Sequence, residues 1–244
     1  PEDLQRLRRR LELVSLPVKQ HLHGPGERID HVYFPGDGFV SELTLLENGA
    51  MIEVATIGRE GVVGIAAGSE RGVAHSLTMV QARMETCYQL TAADYRAEMD
   101  RDGKFNALMT RYMYAHIGVI MQSTACNAIH RVEQRLARWL LMAHDRIARS
   151  EFFLTQEFIA MMLGVARPTV TIIAGTLQKA GLITYRRGRM AILDRDGLES
   201  ASCECYRVAT NLLRSVVPPP RRCPPGKRGR SLAERASVLA LGRL

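Results

Sequence analysis

The sequence predicts an α+β chain: an N-terminal antiparallel β-roll, a long helix in the middle and a C-terminal winged helix-turn-helix. Three observations predict it. Residues from about Glu27 to Leu90 break into short apolar runs separated by glycine turns. Lys104 to about His130 lacks proline and repeats apolar residues at alternating steps of four and three. Residues 156–173 set apolar, small and glycine residues where two crossed helices need them.

The strands come first. Val32-Tyr33-Phe34 runs into the turn Pro35-Gly36-Asp37-Gly38, Phe39 to Leu46 is apolar-rich, and Asn48-Gly49 is a hairpin signal ahead of Met51-Ile52-Glu53-Val54. Ser76 to Val80 and Glu85 to Leu90 add further strands. Many short strands joined by tight turns pack as a jelly-roll-like roll or barrel, which leaves few exposed edges.

Thr91-Ala92-Ala93-Asp94 is a capping sequence, so a short helix is expected to run to about Met99. Beyond Asp102-Gly103, residues Leu108, Tyr112, Ala115, Val119, Gln122, Cys126 and Ile129 form a heptad seam. At about 1.5 Å per residue that helix is roughly 40 Å long, more than a small roll covers. Its other side is apolar too, at Met109, Met113, Ile117, Ile120 and Met121. A helix apolar on two faces needs two partners, so this second side is expected on the roll and the seam against a second copy in a homodimer. A helix buried inside a monomer is the alternative left open by the pattern.

From Arg131 the period changes. Val132, Leu136, Trp139, Leu140 and Ala143 mark an amphipathic helix, with Arg131, Arg135, Arg138 and Arg146 expected on its polar side. Ile159, Leu163, Val165, Val170 and Ile173 then supply a shared core for two short helices. Ala160 keeps their crossing narrow, and Gly164 stands where the turn needs left-handed backbone. Thr155 is placed to cap the first helix, with Glu157 in its first turn, and Pro168 falls in the first turn of the second, where its missing N–H costs nothing. After Gly181, Leu182 to Tyr185 and Met190 to Leu193 flank the turn Arg186-Arg187-Gly188-Arg189, a two-stranded wing with three arginines at its tip.

Such a module points to double-stranded DNA. Thr155, Arg186, Arg187 and Arg189 suit phosphate contacts, which supply affinity without sequence information. Arg167, Thr169, Thr171 and Ile172, in the first turns of the second helix, can face base edges. Arg167 is the expected base reader, through guanine O6 and N7, with a phosphate or a neighbouring side chain as its alternative partner.

Bulk properties agree. A net charge of +8, from 33 Lys and Arg against 25 Asp and Glu, favours a polyanionic partner. No apolar run approaches the ~18 residues of a membrane span, and the N-terminus lacks the pattern of an export signal. A cytoplasmic protein with no membrane partner is expected. Because the sequence starts at Pro1 and not at Met, a short preceding N-terminal piece is expected. Five cysteines (Cys87, Cys126, Cys203, Cys205 and Cys223) without repeated spacing fit reduced thiols. No nucleophile–base or carboxylate pair follows from spacing, so no enzyme is expected.

With these parts in this order, the chain resembles the Crp/Fnr family of bacterial transcription regulators. Val132 to Leu141 (VEQRLARWLL), Leu154 to Ala160 (LTQEFIA) and Gly164 to Thr171 (GVARPTVT) carry the resemblance, which spans about Leu11 to Glu199 and is strongest after Val132. It implies a cyclic-nucleotide-binding-like sensor roll over 1–103, a dimerisation helix over 104–130 and a DNA-binding domain over 131–201. Residues 202–244 form a C-terminal extension, basic and disordered from about 214, where Val217-Pro218-Pro219-Pro220 begins a stretch unable to pack. The resemblance further implies a homodimer on a two-fold symmetric DNA site, and contact with RNA polymerase if the chain activates.

In the cyclic-nucleotide-responding members, a Gly-Glu pair and a downstream Arg-Ser/Thr hold ribose and cyclic phosphate. Here Gly64 precedes Ile65, and His75-Ser76 stands where the arginine falls. Gly64, His75 and Ser76 therefore mark the effector pocket implied by the resemblance, and cyclic AMP is not the expected ligand, since a neutral imidazole replaces the cation. Members that sense oxygen carry N-terminal cysteines for an iron–sulfur cluster; none precedes Cys87, so neither a cluster nor another cofactor is expected. Pro168 and Ile172 replace the glutamate and second arginine of the cyclic-AMP-responsive activators, so Arg167 alone carries over as a base contact.

Other features stay minor. Cys203-x-Cys205 offers two metal ligands, but no second Cys or His pair stands at a zinc-site spacing, and no metal is expected. His21, His23 and His31 read as scattered turn histidines, or else gather at the roll's mouth. Gly58 to Gly64 lacks the Gly-Lys-Ser/Thr of a phosphate loop. The leading reading is a homodimeric regulator whose roll senses an unidentified small-molecule effector; the alternative is a constitutive DNA-binding or scaffolding protein with a ligand-free roll.

Overall fold

Seven strands build the N-terminal half of the chain in a computed structural model that describes residues 2–147 and 151–216. β1 (Glu12–Leu16), β7 (Met84–Thr91) and β3 (His31–Pro35) form one antiparallel sheet in that order. β2 (His21–His23), β6 (Leu77–Ala82), β4 (Phe39–Leu45) and β5 (Met51–Ile57) form the other. The sheets bury Leu16, Tyr33, Val40, Ile57, Val80 and Met84 between them. The roll thus begins at Glu12, ahead of the strand region expected from Glu27, because β1 and β2 are too short to show a clear alternation. At the expected Asn48-Gly49 turn, Gly49 takes φ 82° and the Ala50 amide donates to Asn48 Oδ1 at 3.0 Å.

Helices close the roll. α1 (Glu2–Arg8) buries Leu7 and carries Asp3, whose carboxylate accepts the Phe105 amide at 3.2 Å. That amide belongs to the first turn of α3 (Lys104–Ile129), whose own cap position, Gly103, has no side chain to offer. The same bond, with Arg6 beside it, holds the Asp3 carboxyl below the usual carboxylate range. α2 (Ala92–Met99) starts as expected on Thr91, whose hydroxyl accepts the Asp94 amide at 3.1 Å.

The phase of the seam on α3 is corrected. Of its residues, Tyr112, Ala115, Val119 and Cys126 are buried inside the chain, Leu108 and Gln122 are half-buried, and Ile129 is open to solvent. The buried ones are covered by the roll and by α8 (Cys205–Val216), whose Ala209, Leu213 and Val216 join the same core as Tyr112, Ala115 and Val119. Of the side expected on the roll, Met109 is buried, but Met113, Ile117 and Met121 are exposed. A two-faced helix gives one face to whichever element of its own chain is amphipathic and near, and α8 takes the seam. α8 runs two residues past Arg214; the tail expected beyond it lies outside the described residues.

A second correction concerns α4 (Val132–Arg146). Arg135, Arg138 and Arg146 are buried rather than solvent-facing, because the C-terminal module lies on the outer face of the second sheet and encloses α4 between them. Phe39, Leu43 and Met79 of that sheet share one core with Trp139, Leu140, Ile159 and Leu163. Two of the three guanidinium groups, those of Arg135 and Arg146, reach acceptors on other elements. Arg146 Nη2 stands 2.6 Å from Glu60 Oε1 and also donates to the Thr56 carbonyl, while Arg135 donates to the Leu163 carbonyl. A buried guanidinium is tolerated where such acceptors meet it.

Candidate nucleic-acid interface

α5 (Gln156–Leu163) and α6 (Arg167–Lys179) cross at 103°, within the helix-turn-helix range. Ile159, Ala160, Leu163, Val170 and Ile173 are buried at the crossing, and Val165 is half-buried. Gly164 takes φ 63° and ψ 40° as the helix cap, the left-handed turn that its residue type permits. Thr155 caps α5 by accepting the Phe158 amide at 3.1 Å, and Pro168 sits in the first turn of α6. Four apolar residues of α6, Val170, Ile173, Ala174 and Leu177, are buried against this core.

The opposite face of α6 is open. Arg167, Pro168, Thr171, Ile172, Thr176 and Lys179 are exposed, with Ile172 at 70%, whereas Thr169 is half-buried. Thr171 donates to Gln156 Oε1 at 2.9 Å, which ties the two helices and makes Gln156 a positioning group that the sequence pattern does not single out. Arg167 Nε lies 2.9 Å from Glu157 Oε1, both side chains more than half exposed. Exposed pairs of this kind contribute about 0–1 kcal/mol, and a bidentate arginine on guanine discriminates by about 1–3 kcal/mol. The guanidinium can therefore exchange its partner.

The wing stands beside this face. β9 (Ile183–Arg186) and β10 (Arg189–Ile192) form the expected hairpin, and β8 (Glu151–Phe153) adds a third strand on the far edge of β10. Ile183 and Met190 root it in the core, and the Tyr185 hydroxyl donates to the Leu154 carbonyl at 2.9 Å. At the tip Arg187 and Gly188 take φ 50° and 79°, the pair of left-handed residues that a two-residue hairpin needs. Arg186, Arg187 and Arg189 are exposed there.

The pocket residues are less unified. Gly64 is buried at φ 84° before the 3-10 turn Ile65–Gly68, His75 is exposed and Ser76 half-buried, and among the described residues no hydrogen bond links the three. The nearby histidines separate: His23 is buried, its ring centroid 5.8 Å from that of Tyr33, and His31 approaches Tyr33 at 6.3 Å, while His21 stays exposed. Burial pushes the His23 pKa down.

A further group of chemistry-bearing side chains gathers at the neck of the module. Cys126 and His130, from the end of α3, meet Cys203 and Cys205, from the link between α7 (Arg195–Ala201) and α8. Their ligand atoms all lie within 4.8 Å of one another. Cys203-x-Cys205 is one half of this set in the sequence; Cys126-x-x-x-His130, two ligand types one helical turn apart, is the half that went unrecognised. The hydrogen bond from Cys126 draws the Cys203 thiol below its ordinary pKa.

Residues 134–201 match the Crp-like helix-turn-helix domain. No curated protein matches the chain. Among solved structures, a transcriptional regulator assigned to the Crp/Fnr family from Eubacterium rectale is similar at a TM-score of 0.66 and 19% identity, over 85% of this chain and 95% of that one. A CRP-family transcriptional regulator from Thermus thermophilus follows at 0.64 and 19%, over 78% and 96%. FixK2 from Bradyrhizobium japonicum gives 0.61 and 16%, over 79% and 98%. These likenesses are of fold. No single helix among the described residues is long and apolar enough to cross a membrane.

Proposed function

We propose that this chain, a transcription regulator of the Crp/Fnr type by its helix-turn-helix domain and its fold, binds a two-fold symmetric duplex as a homodimer and responds to a signal received by the roll. The exposed face of α6, with the wing arginines beside it, is the observation that carries the reading. A helix held by an apolar core on one side and open on the other fits a major groove. A hairpin tip bearing three guanidinium groups fits the flanking phosphates.

Selection of bound duplexes from a random pool is expected to return an inverted repeat with half-sites about 10 base pairs apart, or a multiple of that. Enrichment of nothing, or of one unpaired half-site, overturns the symmetric reading. On the selected duplex, Arg167→Ala should relax preference at one base pair by about 1–3 kcal/mol. Arg187→Ala should instead weaken binding to every sequence and lower the salt slope by about one. Equal losses on specific and random duplexes for both variants refute this division.

The second copy is assigned to the open side of α3. Tyr114, Ile117, Met121, Thr124 and Ala128 are exposed and follow one another at steps of three and four, a seam displaced by two residues from the one expected. Met121→Arg sets a charge into that seam and should convert the dimer to monomer in sedimentation while leaving the fold's circular dichroism unchanged. A dimer that survives this change lies elsewhere. Cyclic AMP is not the expected signal at the roll, because Gly64 lacks a following glutamate and His75 offers a neutral imidazole in place of a cation. A melting temperature unmoved by cyclic AMP but raised by another metabolite is the expected thermal-shift result.

A further inference from the structure

We infer that Cys126, His130, Cys203 and Cys205 form a binding site for one thiophilic divalent cation of the zinc class, which clasps the two ends of the winged module at its neck. The chain enters that module just after His130 and leaves it at Cys203, so the four ligands bracket residues 131–202 from both sides. Three thiolates and one imidazole make a tetrahedral Cys3His set. With metal–sulfur bonds of about 2.3 Å, the ligand atoms of such a set stand about 3.8 Å apart. Here the sulfurs of Cys126 and Cys203 are 3.5 Å apart, and Cys205 Sγ is 3.5 Å from His130 Nδ1.

The surroundings are those of a metal centre rather than of three thiols and an imidazole merely sharing a core. His130 turns Nδ1 to the cluster, while its Nε2 lies 3.2 Å from Glu204 Oε1, the carboxylate–imidazole arrangement that fixes the tautomer of a ligating histidine. Gln122 Nε2 donates to Cys205 Sγ at 3.0 Å, as outer groups do to a ligating thiolate. Arg135 and Arg138 are buried on α4 with no salt-bridge partner among the described residues, and the Nε of each lacks any hydrogen-bond partner. Three thiolates around a divalent ion carry one net negative charge, a counter-charge beside Arg135 and one that adds to the pull of Glu53 on Arg138. Binding releases the three thiol protons to solvent and oxidises nothing.

The test uses the full chain, stripped of metal under reducing, anaerobic conditions and titrated with cobalt(II), which reports tetrahedral thiolate ligation in the visible and near ultraviolet. One equivalent per chain is expected to give intense tetrahedral bands and a thiolate charge-transfer band, both abolished when zinc(II) displaces the cobalt. Cys203→Ser should remove about a third of the charge-transfer intensity, one thiolate of three, and weaken binding more than tenfold. His130→Ala should shift the visible bands with all three thiolates kept. Cys87→Ser, a change inside the roll, should alter neither.

The weak spectrum of hydrated cobalt throughout the titration overturns the site, as do bands indifferent to Cys126→Ser and Cys203→Ser, or a Cys126–Cys203 disulfide recovered from freshly isolated chain. If a variant does not fold, the wild-type titration and its zinc competition still decide. Because the spectrum requires no DNA, a chain that binds cobalt in this way yet enriches no duplex refutes the regulator reading and upholds the site.

Discussion

Trp139→Ala is expected to lower the unfolding free energy by about 4 kcal/mol, measured by urea denaturation followed by far-ultraviolet circular dichroism. Trp139, the single tryptophan of the sequence, is 2% exposed on α4 and stands where the roll and the winged module meet. Its ring meets Phe39 of β4 edge-on at 6.2 Å and Phe158 of α5 at 6.1 Å, so one side chain joins three elements from the two halves of the fold. Aromatic pairs in this geometry add about 0.5–1.5 kcal/mol beyond the area they bury. Its indole N–H donates to Glu53 Oε1 at 2.7 Å. Truncation therefore opens a cavity, removes two aromatic pairs and takes a donor from a buried carboxyl.

Trp139→Phe separates these effects. It keeps the ring near Phe39 and Phe158 and removes the donor, so the loss should fall to about 1–3 kcal/mol. Because total stability is about 5–15 kcal/mol, the alanine change should leave a marginal protein and the phenylalanine change a folded one. If the alanine variant loses less than about 1 kcal/mol, the two halves do not share the core described above. The intrinsic fluorescence of the wild-type chain reports this same junction.

How much of this was legible in the sequence depends on the range over which each feature is decided. The helix-turn-helix was legible because its determinants are local: Gly164 permits one backbone conformation, Pro168 fits one turn of α6, and Thr155 caps within three residues. The wing followed for the same reason, while three-residue β8 gave no periodicity to read. The seam on α3 was placed on the wrong face because periodicity shows that two faces are apolar and not which element covers each. α8 decides that, and its Tyr206, Ala209 and Leu213 lie in the C-terminal extension ahead of the proline-rich stretch, where no helix was expected. The arginines of α4 were misplaced likewise: Glu60, Thr56 and Leu163, which make their burial tolerable, are 28 to 90 residues distant in sequence. The Cys and His cluster is tertiary in the same sense, assembled from two segments more than 70 residues apart.

Glu53 is expected to make the stability of the fold fall as pH rises from about 4.5 to about 7, and Glu53→Gln to abolish that fall. The carboxyl is buried between β5 and α4, and desolvation pushes its pKa up to about 7 from 4.5, against the opposing pull of Ser41, Arg138 and Trp139. Ser41 Oγ donates to one oxygen and Trp139 Nε1 to the other. Between the two pKa values the folded state holds a proton that the unfolded chain has released, so stability declines with each pH unit by about 1.4 kcal/mol. The contribution is fully present below pH 4.5 and lost once pH passes through about 7, a total of about 3 kcal/mol. Glutamine keeps the geometry, since its carbonyl accepts from Trp139 and its amide donates to Ser41 Oγ, and it carries no charge to desolvate. The two chains should therefore be nearly equal in stability at pH 4.5, with the glutamine variant ahead by up to about 3 kcal/mol at pH 8. Other titrating groups are common to both chains and cancel in the difference. Denaturation curves that keep a constant separation between pH 4.5 and 8 would show that Glu53 is ionised throughout, and that the junction of roll and winged module is held by charge instead of by a neutral hydrogen-bonded carboxyl.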